Sequence, residues 1–68
     1  MALHVYYLNH EYFADAEFQD FDSAVSYAKS KGFEASIVQP YTKGKPHKGC
    51  EVLGHWHPLN GLTDRRNG

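Results

Sequence analysis

Phe18 to Gln39 reads FQDFDSAVSYAKSKGFEASIVQ, and it constrains the fold more than any other stretch. Phe21, Ala24, Val25 and Ala28 recur at i, i+3, i+4 and i+7. At about 100° per residue they share one narrow helical face. Asp22, ahead of the first expected turn, offers a carboxylate to the free N–H groups there and is the expected N-cap. Asp20 adds negative charge at the same end of the helix dipole. Lys29 and Lys31 fall in the last turn, and Gly32 stands where a left-handed cap belongs. The pattern predicts three turns of helix over 23–31. Alanines on its apolar face let it lie close on a sheet. Phe33, Ala35 and Ile37 then alternate with Glu34, Ser36 and Val38, as in a strand with one face more buried.

The flanking segments read as strands. Leu3, Val5 and Tyr7 alternate with His4, Tyr6 and Leu8, and the aromatic and β-branched content supports a first strand. Asn9 and His10 suit a tight turn. In 11–18, Tyr12, Ala14, Ala16 and Phe18 share one face, and Glu11, Phe13, Asp15 and Glu17 share the other. That period is nearer two than 3.6, so a second hairpin arm is favoured over a helix. Pro40 closes the third strand, and 41–49 (YTKGKPHKG) is a loop. Cys50 to His57 reads as a fourth strand, with Val52, Gly54 and Trp56 opposite Glu51, Leu53, His55 and His57. Residues after Pro58 show no periodicity. The expected fold is a small α+β domain of order β-β-α-β-β over 1–58. It has one mainly antiparallel sheet and a single helix on one face, followed by a partly flexible tail over 59–68.

Sixty-eight residues form one domain with a small core, a size often supported by a metal or by dimerisation. Its single cysteine rules out an internal disulfide and fits a reducing compartment. The N-terminus lacks a basic region followed by a long apolar run, so a cytoplasmic protein without signal peptide or membrane span is expected. A net charge of −1 gives no global attraction to nucleic acid.

Five groups of residues bear on function. Glu11, Asp15, Glu17, Asp20 and Asp22 crowd one segment without a Lys or Arg, and Phe13 stands among them. An acidic face with an aromatic anchor suits a basic protein partner. Tyr6 and Trp56 are further aromatics expected on the face the helix leaves open. A homodimer through that face would relieve the small core. Tyr41, Lys43, Lys45, His47 and Lys48, with Arg65 and Arg66, form a basic group able to hold phosphates and stack a base. Nucleic acid ranks second, because the first half of the chain is acidic. His47, Cys50, His55 and His57 offer four zinc-type donors within eleven residues, which makes a zinc-stabilised module a further alternative. Their spacing matches no common zinc signature. Cys50 has the wrong strand parity for His55 and His57 unless a bulge near Gly49 or Gly54 repairs it. Nucleophilic catalysis by Cys50 would need a base, an oxyanion site and a water-excluding pocket, for which a sheet with one helix leaves little room. The expectation is a protein that is not an enzyme and needs no cofactor.

Phe21, Asp22, Ser23, Ala28, Gly32, Phe33, Glu34 and Ile37, followed by Trp56, Pro58, Leu59 and Gly61, compose a helix–strand unit and a late W-x-P-L-x-G segment. Together they resemble small bacteriophage-encoded accessory proteins over about half the chain. The resemblance implies a protein that binds or blocks a host protein or defence complex. It carries over no functional residue.

Overall fold

The computed structural model describes residues 2–66, and Met1, Asn67 and Gly68 lie outside the described residues. The chain runs β1 (His4–Tyr7), β2 (Tyr12–Phe13), α1 (Phe21–Lys31), β3 (Ala35–Pro40), β4 (Cys50–His57) and β5 (Gly61–Asp64), with a 3-10 turn at Pro46–Lys48. All strands join one antiparallel sheet of order β2-β1-β3-β4-β5, with the helix as a second layer. The α+β expectation holds. The β-β-α-β-β order is corrected at its end, where a fifth strand pairs with β4 through His57↔Gly61 to Gly54↔Asp64. The connecting turn is held by His57, whose Nδ1 accepts the backbone N–H groups of Leu59 and Asn60 at 3.1 and 3.2 Å. Four residues are too few for periodicity to reveal such a strand. No helix among the described residues is long and apolar enough to cross a membrane.

The helix buries the four residues its spacing selects: Phe21, Ala24, Val25 and Ala28. It meets Val5, Tyr7, Ala35 and Ile37 from the sheet in one core. Its C-terminus matches expectation, with Gly32 left-handed at φ 74° and its N–H shared between the carbonyls of Ala28 and Lys29. Its N-terminus does not. Asp20, not Asp22, is the N-cap, and its carboxylate accepts the Ser23 N–H at 2.7 Å. Starting two residues earlier makes Phe21 the first helical residue and sets its ring into the core, while Asp22 stays exposed in the first turn.

The second strand is also shorter than the alternation implies. Tyr6↔Phe13 and Tyr7↔Tyr12 pair as a hairpin across a four-residue connection, in which Glu11 takes a left-handed φ of 54°. Beyond Phe13, Ala14 donates to the Val5 carbonyl and Phe18 exchanges both backbone hydrogen bonds with Leu3. Three residues (15–17) therefore lie opposite His4 alone, so Asp15 and Glu17 bow into solvent instead of continuing the ladder. Of the face expected to point inward, Ala14 is buried and Phe18 packs on the core, whereas Tyr12 is half-exposed.

At Gly54 helix and sheet come into close contact. A Cβ there would stand 2.6 Å from Phe21 Cζ, 2.9 Å from Cε1 and 3.2 Å from the Thr63 carbonyl oxygen. Gly54→Ala is expected to destabilise the fold by about 1–3 kcal/mol, as overpacking does, and the shift in urea midpoint measures it. The Asp20 cap sets a pH dependence. The Ser23 N–H lowers the Asp20 carboxyl below its ordinary 3.8. Its contribution is full above that value and is lost as pH falls through the lowered one. Asp20→Ala is expected to depress the melting temperature at neutral pH and to make little difference in strong acid, as read in thermal melts of both proteins.

Candidate protein-binding surface

Directly paired residues on neighbouring strands share a face of the sheet. Val5↔Ile37 and Tyr7↔Ala35 face the helix, and Ile37↔Gly54 and Ala35↔Trp56 continue that face into β4. His4↔Val38, Tyr6↔Ser36 and Ser36↔His55 define the opposite face. Between Ile37 and Val38 the register shifts, since Ile37 pairs with Gly54 but Val38 with Val52. Leu53 is the extra residue of a β-bulge, and it packs against the core. The bulge reverses the alternation within β4. Val52, expected beside Gly54 and Trp56, joins His55 on the face away from the helix, where it is 43% exposed.

This division separates the residues expected to bind a protein. Tyr6 and Phe13 lie on the face away from the helix with ring centroids 4.7 Å apart. Trp56 lies on the helix face, half-buried, with the Lys29 ammonium 5.4 Å from its ring centroid. The expectation that Trp56 would sit on the open face is corrected, because its partner Ala35 faces the helix. Glu11 and Asp15 lie at the hairpin end of the molecule, whereas Glu17 lines a separate open groove with Gln19, Gln39, Tyr41 and Lys43.

An arrangement absent from the sequence reading forms at the hairpin end. Tyr7 and Tyr12, paired across the hairpin, have centroids 5.3 Å apart. Phe33 meets Tyr7 edge-on at 5.8 Å and His10 at 4.7 Å. Tyr12 is 50% and Phe33 42% exposed, although the alternation of 33–38 predicted a buried Phe33. It lies in the short connection between the Gly32 cap and β3, at the end of the sheet. Tyr7, Tyr12 and Phe33, with Ala14, Asp15, Tyr27 and Lys31, line an open cleft of about 250 Å³. The Lys31 ammonium lies 5.3 Å from the Tyr27 ring centroid. One signal was available in the sequence: Tyr27 and Lys31 are four apart on a helix, so they stack on one side of it.

Tyr7 lies beneath the cleft. The residue is 2% exposed, and its buried hydroxyl has the Tyr27 side chain as hydrogen-bond neighbour, though not in good geometry. Burial first, then the neighbouring Tyr27, pushes the phenol far above its ordinary range, so Tyr7 keeps its proton. Among the described residues, the buried His4 Nε2 and Trp56 Nε1, on opposite faces of the sheet, make no hydrogen bond.

The proposed zinc donors do not converge. The bulge places Cys50 on the side of His55, as the parity argument required. Cys50 pairs with Pro40 and His55 with Ser36, and four residues at about 3.3 Å each set them roughly 13 Å apart. His55 Nε2 is 2.9 Å from Glu34 Oε2, His57 holds its turn, and His47 is exposed in the 3-10 turn. No group of three metal-type side chains closes among the described residues. Burial pushes the Cys50 thiol up, away from the reactive thiolate.

The basic group is divided too. Tyr41, Lys43, Lys45 and Lys48 are exposed at the β3–β4 connection, with Tyr41 against Gly49. Arg65 is exposed. Arg66 is engaged elsewhere: its guanidinium contacts both Asp64 carboxylate oxygens and lies 4.0 Å from the Phe21 ring centroid. The Arg66 hydrogen bonds hold the Asp64 carboxyl at about 2.

Comparison with known proteins returned no matching family model, curated protein or solved structure. The resemblance to phage accessory proteins thus rests on the residues quoted for it.

A buried hydroxyl without a well-formed hydrogen bond costs stability, about 1–3 kcal/mol in typical cases. Tyr7→Phe is expected to leave the melting temperature unchanged or raise it. A clear decrease would mean that the hydroxyl is satisfied within the fold.

Proposed function

We propose that this protein is a non-enzymatic binding module that engages another protein through the aromatic cleft and its acidic rim. In the setting that the resemblance implies, the partner is a host protein which a phage or mobile-element accessory protein binds or inhibits. One observation carries this reading: Tyr12 and Phe33 stay substantially exposed within a single cluster of rings. Large rings held rigid beside a cleft are the side chains that most often dominate binding energy at protein interfaces. Hairpin pairing fixes Tyr12, and contacts to Tyr7 and His10 hold Phe33, so little side-chain freedom is left to lose on association. Asp15 in the cleft lining and Glu11 in the adjoining hairpin turn favour a basic partner and a salt-sensitive encounter.

The test compares wild-type protein with the Tyr12→Ala/Phe33→Ala double variant as baits in bacterial lysate. Circular dichroism first establishes that the variant is folded. The wild type is expected to retain a partner at low salt that the variant and high salt both release. Equal recovery by both baits, or none above background, overturns the reading.

A further inference from the structure

A second cleft opens at the far end of the sheet from the hairpin. β3 starts at Ala35, paired with Tyr7, and reaches Pro40 five residues on, about 17 Å away. Beside Pro40 an open groove of about 540 Å³ is lined by Ala2, Glu17, Gln19, Gln39, Tyr41 and Lys43. It shares no lining residue with the aromatic cleft. Tyr41 is 74% exposed, more than any other tyrosine. From 40 to 50 the chain carries Lys43, Lys45, His47 and Lys48 and no acidic residue. All four basic side chains are exposed, and among the described residues no ion pair holds the three lysines. We propose that this groove and the adjoining loop bind single-stranded nucleic acid, with Tyr41 stacking a base and the lysines contacting phosphates. The site goes beyond the protein-binding reading and does not depend on it. Arg66 takes no part, since Asp64 and Phe21 hold it.

The loop has its shape before any ligand arrives. The Tyr41 N–H donates to the Gly49 carbonyl at 3.1 Å and closes the loop at its base. Within it, Lys45 donates to the Thr42 carbonyl at 2.9 Å, Lys48 to the Lys45 carbonyl at 3.0 Å and Gly49 to the Pro46 carbonyl at 3.2 Å. Pro46 is buried and anchors the 3-10 turn. Gly49, at φ 126°, has no Cβ to crowd the Tyr41 ring, which would stand 3.2 Å from one. Little order is therefore left to impose on binding. Any base offers a π face to an exposed ring, and lysines spaced along one loop neutralise successive phosphates. The polar lining selects a nucleic acid over a bare polyanion. The Glu17 carboxylate repels a phosphate but accepts N–H donors from a base edge, and the Gln19 and Gln39 amides both donate and accept. An unpaired strand presents those edges, whereas a duplex hides the ones used in pairing.

The probe is a fluorescein-labelled deoxycytidine strand of about ten nucleotides, whose bases carry exocyclic amino donors. It is titrated with the protein to about 1 mM at neutral pH and low salt, and read by anisotropy. Circular dichroism first establishes that each variant is folded. Tyr41→Ala is expected to weaken binding at least ~5-fold, and Tyr41→Phe to change it by less than ~2-fold. The Lys43→Gln/Lys45→Gln/Lys48→Gln triple variant is expected to weaken it at least ~10-fold and to flatten the slope of log affinity against log salt by about two. Inorganic polyphosphate and a duplex of matched length are expected to compete at least ~5-fold less well than the unlabelled strand. The Tyr12→Ala/Phe33→Ala variant is expected to bind the strand as the wild type does. No anisotropy change at the highest protein concentration overturns the proposal, as does unchanged binding by Tyr41→Ala or by the lysine triple variant. Polyphosphate competing as well as the strand would make the loop a general anion site and overturn it too. Equal competition by the duplex, or loss of binding in Tyr12→Ala/Phe33→Ala, has the same consequence.

Discussion

Phe21 brings three distant parts of the chain together. Its ring lies against Gly54 at the centre of β4, so close that a methyl group there would overlap it. The Arg66 guanidinium also packs on this ring, 4.0 Å from its centroid. The helix begins at this residue, with the Asp20 cap directly before it. Ala24 and Ala28, both with no exposed surface, continue the contact one and two turns on. Close helix–sheet approach thus depends on small residues from both layers, with one large ring among them. A small core gains most from such packing, because it has little apolar area to bury.

The bulge at Leu53 has the next largest consequence. One extra residue in β4 changes which side chains share a face. It lets Gly54 meet Phe21 and brings Trp56 under Lys29, while Val52 and His55 turn the other way. With regular alternation through β4, either Gly54 and Trp56 or Val52 would have to change sides. The tryptophan therefore serves the helix face, and the exposed aromatic surface arises at the hairpin end instead.

There the fold tolerates local costs. Glu11 occupies a left-handed conformation that favours glycine, and the buried Tyr7 hydroxyl has no hydrogen bond of good geometry. Tyr12 and Phe33 remain in water though their rings could contribute to a core. Backbone strain, a poorly bonded buried hydroxyl and exposed rings lie at the hairpin end of the molecule.

The helix face, its glycine cap and the inward residues of β1 and β3 were legible in the sequence. Each depends on a period that the backbone imposes wherever a helix or strand forms, as Phe21, Ala24, Val25 and Ala28 illustrate. The acidic segment was legible as charge, but the cleft it borders was not. Tyr7, Tyr12, Tyr27 and Phe33 come from four separate segments, and only the hairpin register and the seating of the helix bring them together. Trp56 and Val52 were assigned to one face because strict alternation cannot register an inserted residue. The fifth strand went unseen because four residues hold too little pattern. By itself the sequence determined an amphipathic helix running into a strand, since periodicity and capping are local properties of the chain. Only the tertiary structure decided which aromatic rings stay exposed, because exposure depends on what the other layer covers.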